Sequence, residues 1–106
     1  MPLFGAMAPN MTLDELRSSR RGEILGRPNA WGARNVRVFG SLSRGDNKPE
    51  SDIDFLIDLD PDRTLMDLGG VLTELQQMLQ VPVDVTTEKM LRPHIRDRAL
   101  RDAIPL

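Results

Sequence analysis

Residues 40–57 read GSLSRGDNKPESDIDFLI. Asp52 and Asp54 head a run, Asp52 to Leu59, that places Ile53, Phe55, Ile57 and Leu59 on one face of a strand. Side chains two apart on a strand leave the same face, so the two carboxylates stand side by side. Adjacent carboxylates repel and raise each other's pKa, an expensive arrangement unless a cation sits between them. Hard oxygen ligands of this kind suit Mg²⁺ or Mn²⁺. Upstream, Gly40-Ser41 closes a short alternating strand around Val36 and Val38 and opens a turn. Glycine lets a bulky anion approach the backbone, and free N–H groups with a serine hydroxyl can donate to phosphate. A phosphate cradle beside a metal dyad is what nucleotide chemistry requires.

Working outward, the spacing predicts a helix capped by Asn10 or Thr12 and stopped near Gly26 and Pro28. A loop over Asn29 to Arg34 follows, with Trp31 as a packing anchor, and then a turn or short helix over Ser41 to Asp46. Beyond the Asp52–Leu59 strand, Thr64 is an N-cap with Asp67 as its acidic N3 residue. Leu65, Leu68, Leu72, Leu75 and Leu79 then recur at steps of three and four and mark a core-facing helix. Gly69 and Gly70 would each cost it about 1 kcal/mol relative to alanine unless close packing needs them. Val81 to Thr86 reads as a third strand, and a last helix runs from Thr87 to about Arg101, interrupted near Pro93. This order predicts an α+β fold, an α/β sandwich with a small sheet flanked by helices. Residues 1–10, with two prolines and no period, read as a flexible arm, and residues 11–106 as one domain.

With 106 residues, 40% hydrophobic and 28% charged, the chain is sized for one modest core. It contains no cysteine and a single histidine, His94. Disulfides, thiolate zinc sites, cysteine nucleophiles and multi-histidine metal sites are therefore excluded, and a reducing, cytoplasmic compartment is expected. Neither a signal peptide nor a membrane span is expected. A net charge of −2 argues against a nucleic-acid-coating role. The charge is zoned, however. Residues 1–51 carry eight basic and five acidic residues, 52–88 carry nine acidic residues and only Arg63, and 89–106 return to a basic surplus.

Asp58 and Asp60 repeat the Asp-x-Asp spacing on the same strand face. Asp58 lies about 13 Å along the strand from Asp54, whereas paired catalytic metals sit about 3.5–4 Å apart. It therefore cannot share the dyad's site, and turn and cap roles are expected for it and Asp60. Arg44 reads equally as a surface arginine or as a phosphate or partner contact. Lys48 is expected to be plainly solvated and His94 to be structural or exposed.

Gly40-Ser41, ten intervening residues and then Asp52-Ile53-Asp54 resemble the signature of the minimal nucleotidyltransferases of the DNA polymerase β superfamily. Arg44-Gly45 and Ser51 also match that family's usual text, and Asp84, within Val83-Asp84-Val85, fills its third acidic position. The likeness spans Val36 to Val85, nearly half the chain. It implies a polymerase β-like nucleotidyltransferase fold. It also implies an ATP substrate, two Mg²⁺ ions (or Mn²⁺) on Asp52, Asp54 and Asp84, and triphosphate contacts from Gly40, Ser41 and Arg44. Stand-alone proteins of this size resemble antitoxins that move AMP from ATP onto a tyrosine of a HEPN-domain ribonuclease toxin, in a hetero-oligomer with it. This chain has no tyrosine of its own. Two other functions fit the same residues: a silent antitoxin acting by contact alone, and an adenylyltransferase for a small molecule such as an antibiotic.

Overall fold

The computed structural model describes residues 12–19, 21–46 and 52–106. The expected arm over residues 1–10, the Asn10 cap, Lys48 and Ser51 lie outside the described residues. Helices α1 (Leu13–Ser19) and α2 (Arg21–Asn29) lead into β1 (Ala33–Phe39), the single-turn helix α3 (Ser41–Arg44) and β2 (Ile53–Leu59). Helix α4 (Leu65–Leu79), β3 (Val83–Thr86), a 3₁₀ turn at Glu88–Met90, α5 (Pro93–Asp102) and a two-residue β4 (Ile104–Pro105) complete the chain. The sheet runs β3-β2-β1-β4. Strand β2 is parallel to β3 and antiparallel to β1, and β1 is antiparallel to β4. This is the expected α+β architecture with a small mixed sheet.

One face of the sheet carries the main core. Val38, Ile53, Phe55, Ile57, Val83 and Val85 pack there against Leu16, Ile24, Leu68, Val71, Leu75 and Leu79. The expected leucine stripe of α4 therefore lies in the core from Leu68 onward. Leu65 does not: as the first residue of the helix it is 73% exposed. The Thr64 cap is as expected. Its Oγ1 accepts from the Met66 N–H at 3.2 Å, and the Asp67 carboxylate accepts the Thr64 N–H at 2.9 Å. The Thr64 N–H above all, with the Thr64 hydroxyl and Arg63, holds the Asp67 carboxyl below its ordinary pKa.

On the other face Leu56 is fully buried yet stands apart from the main core, as does Ala99 of α5. Alternation along β2 puts Leu56 on the side of Asp54 and Asp58, so α5, which packs on β1, covers this face. Asp52 at one end of this face and Asp58 at the other are exposed. Two further points differ from the sequence reading. Pro28 sits buried inside the last turn of α2 rather than after it, and its carbonyl accepts the Trp31 N–H at 2.9 Å. Strand β1 starts at Ala33, because a bulge between Arg34 and Arg37 puts Asn35 at φ 52° and breaks the alternation there. Among the described residues no helix is long and apolar enough to cross a membrane.

Candidate active site

The strand register brings the predicted acids together. Asp54 on β2 pairs with Asp84 on β3, and across the other edge of β2 it faces Phe39, the last residue of β1. Paired Cα atoms on neighbouring strands lie about 5 Å apart. Asp52, two residues before Asp54, shares its face of the strand. Asp52 and Asp84 are exposed while Asp54 is half-buried. Burial first, then the charges of Asp84 and Asp52, push the Asp54 carboxyl up to about 6, and Arg44 pulls it the other way. The site thus holds a carboxylate that its surroundings disfavour as an anion, and a divalent cation would relieve this. Among the described residues no three His, Cys, Asp or Glu side chains close into a metal cage by themselves. Mg²⁺ is usually held by one or two carboxylates, with substrate phosphates and water completing its shell. The donor set fits such an ion.

Gly40 directly follows β1 and lies against this cluster. Its backbone, φ 73° and ψ −150°, is a conformation open essentially to glycine alone. A Cβ there would stand 2.5 Å from Asp54 Oδ2. Whatever anion the turn admits, the Asp54 carboxylate itself already requires glycine here. The turn is then locked locally. Ser43 Oγ donates to the Gly40 carbonyl at 2.8 Å, the Arg44 N–H reaches the same oxygen at 3.2 Å, and Leu42 is buried as an anchor. Ser41 opens α3 beside Gly40 and is half-exposed.

Arg44 is exposed but engaged: its Nε donates to Asp46 at 3.3 Å and its Nη1 to Asp102 at 2.9 Å. Asp102, at the end of α5, is the site neighbour that the sequence reading missed. In the sequence it is one acid beside Arg101 in a charged tail, and nothing local pairs it with a residue so far upstream. Asp58 and Asp60 lie away from the site; Asp60 opens the expected turn, its carbonyl accepting the Arg63 N–H at 3.0 Å, and neither caps a helix. Asp58 accepts from Arg37 at 2.9 Å and from Asn35 Nδ2 at 3.1 Å, and Asp60 accepts from Arg34 at 2.8 Å. They are cross-strand partners of β1. A groove of about 390 Å³ beside Asp58, Asp60 and Lys89 lies at the end of β2 away from Asp52 and Asp54. His94 is exposed, and Trp31 packs its ring against Gly70.

The geometry has counterparts in known proteins. The family model described as a nucleotidyltransferase domain matches residues 23–106. A Methanocaldococcus jannaschii relative, named as a protein adenylyltransferase, is 36% identical over 73 residues, covering 69% of this chain and 78% of the relative. A solved structure described as a minimal nucleotidyltransferase is 40% identical with a TM-score of 0.80, covering 93% of this chain and all of that one. A toxin–antitoxin complex solved with AMP-PNP shares the fold at 16% identity, with a TM-score of 0.69 over 81% of this chain and 71% of that one.

Proposed function

This chain belongs to the nucleotidyltransferase-domain family as a minimal nucleotidyltransferase, and we propose that it transfers AMP from ATP to a tyrosine hydroxyl of a HEPN-domain toxin, which it thereby silences. The observation that carries this reading is the Asp54–Asp84 register pair, with Asp52 on the same face and Gly40 pressed against Asp54. The relative's name gives a protein as acceptor, and the neighbour solved with AMP-PNP is a toxin–antitoxin complex.

In this mechanism Asp52, Asp54 and Asp84 would hold Mg²⁺, which would offset the charge of the triphosphate and of the attacking and leaving oxygens. Gly40, Ser41 and Arg44 bind the β- and γ-phosphates. The acceptor oxygen bonds to the α-phosphorus as the bond to the pyrophosphate oxygen breaks. Asp84, exposed at the mouth of the site, takes the proton that the hydroxyl gives up. Residues 11–106 act as the transferase domain, and the pair works in the cytoplasm.

The test is incubation of the purified chain with ATP, Mg²⁺ and a co-expressed HEPN partner, read by intact-mass spectrometry. The partner is expected to gain 329 Da per AMP, a mass fixed by the chemistry of the transferred group. Toxin silenced with no mass gain would replace transfer by simple masking. Gain only on an added aminoglycoside would make this a small-molecule enzyme.

A further inference from the structure

Two carboxylates hold the Arg44 guanidinium, and they differ in kind. Asp46 is two residues away and its side chain is 62% exposed, whereas Asp102 comes from the end of α5 and is 22% exposed. Because Arg44 itself is exposed, an ion pair to it adds little to stability, so the Arg44–Asp102 contact is a poor staple for the fold. Its geometry offers something else. A planar guanidinium held at both Nε and Nη1 is fixed in orientation as a lysine ammonium would not be. Nη2 bonds to nothing among the described residues. Arg44 also lies close enough to the acidic cluster for its charge to be felt at Asp54. An unrestrained arginine there would be drawn onto the Asp54 or Asp84 carboxylate, where it would compete with a bound cation.

We propose that Asp102 is a positioning residue for the transfer reaction: by holding Nη1 of Arg44 it keeps that guanidinium off the acidic cluster and presents its remaining N–H groups to the nucleotide triphosphate. This rests on the nucleotide reading above. It makes α5 part of the site, although the helix carries no group that touches substrate.

A double-mutant cycle tests it with wild type, Arg44→Ala, Asp102→Ala and the double variant. Affinity for AMP-PNP in Mg²⁺ is measured by calorimetry, and melting of each ligand-free protein is recorded alongside. Asp102→Ala should weaken binding about tenfold when Arg44 is present, the loss of one well-placed charged hydrogen bond. On the Arg44→Ala background it should change nothing. Asp102→Glu, which keeps a carboxylate, should recover most of the affinity. Unchanged affinity in Asp102→Ala, or an equal loss with and without Arg44, overturns the inference and leaves the nucleotide reading standing. Wild type that fails to bind AMP-PNP overturns both.

Discussion

Asp54 carries most of the electrostatic cost of the site. Its carboxyl is raised from an ordinary 3.8 to about 6, so between those pH values the folded chain holds more proton than the unfolded one. Stability therefore falls as pH rises through that window: the contribution is complete below about pH 4 and gone above about pH 6. A displacement of that size corresponds to about 3 kcal/mol, which solvent screening at a half-exposed group reduces to roughly 1–2 kcal/mol. Asp54→Asn, measured by urea unfolding in chelator at pH 8, should be more stable than wild type by that amount. The gap should close near pH 4, and nucleotidyl transfer should be lost. Equal stability at pH 8 would show that the site is not strained by its charges. Gly40→Ala tests the neighbouring contact, since both its positive φ and the approach of its Cβ to Asp54 oppose any side chain. A loss of about 2 kcal/mol or more is expected in the same assay. These residues were legible because Gly40, Ser41, Asp52 and Asp54 report themselves by local spacing. Asp102 was not, because its meaning depends on a contact with Arg44 that only the folded chain makes.

Among the elements, α4 puts two adjacent glycines in contrasting surroundings. A Cβ on Gly69 would meet nothing within 4 Å, whereas one on Gly70 would stand 2.5 Å from the Trp31 ring. Gly69→Ala should accordingly stabilise the protein by about 1 kcal/mol through helix propensity alone. Gly70→Ala should destabilise it, because the indole must leave its seat. Thermal melting of the two variants should move in opposite directions, and a matching shift would deny Trp31 its anchoring role. The helix itself was legible from its 3.6-residue period and its Thr64 cap, both of which are local signals. The start of β1 and the whole of β4 were not. The Asn35 bulge spaces buried Ala33 and Val36 three apart, which alternation cannot register. Strand β4 has only two residues, too few to show a period, and it exists because Ile104 pairs with Val38. Two further contacts secure it, as Arg17 donates to the Pro105 carbonyl at 2.7 Å and Arg21 to the Leu106 carbonyl at 2.9 Å.

At the scale of the molecule, the charge zoning of the sequence becomes strand pairing. Basic β1 lies beside acidic β2, and the Arg37–Asp58 and Arg34–Asp60 pairs cancel charge across them. The acids without such a pairing on β1, Asp52, Asp54 and Asp84, gather at the other end of β2, so the negative potential is concentrated where a cation would bind. A tyrosine acceptor must come from a second molecule, because this chain has none. Free tyrosine ionises near pH 10, so at neutral pH its hydroxyl needs a base to become a nucleophile. Asp84, in register with Asp54 and exposed, is the base in the proposed reaction. Asp84→Asn should then slow AMP transfer to the partner by about a hundredfold or more while weakening AMP-PNP binding far less, because Asp52 and Asp54 remain. Peptide mapping of the mixed pair should find AMP on a partner tyrosine with wild type and little with Asp84→Asn. If AMP appears only on a serine or threonine of this chain, the acceptor is in cis and the trans-acting arrangement is wrong. If binding and transfer fall together, the metal-ligand role of Asp84 accounts for the whole effect and its role as the base is wrong.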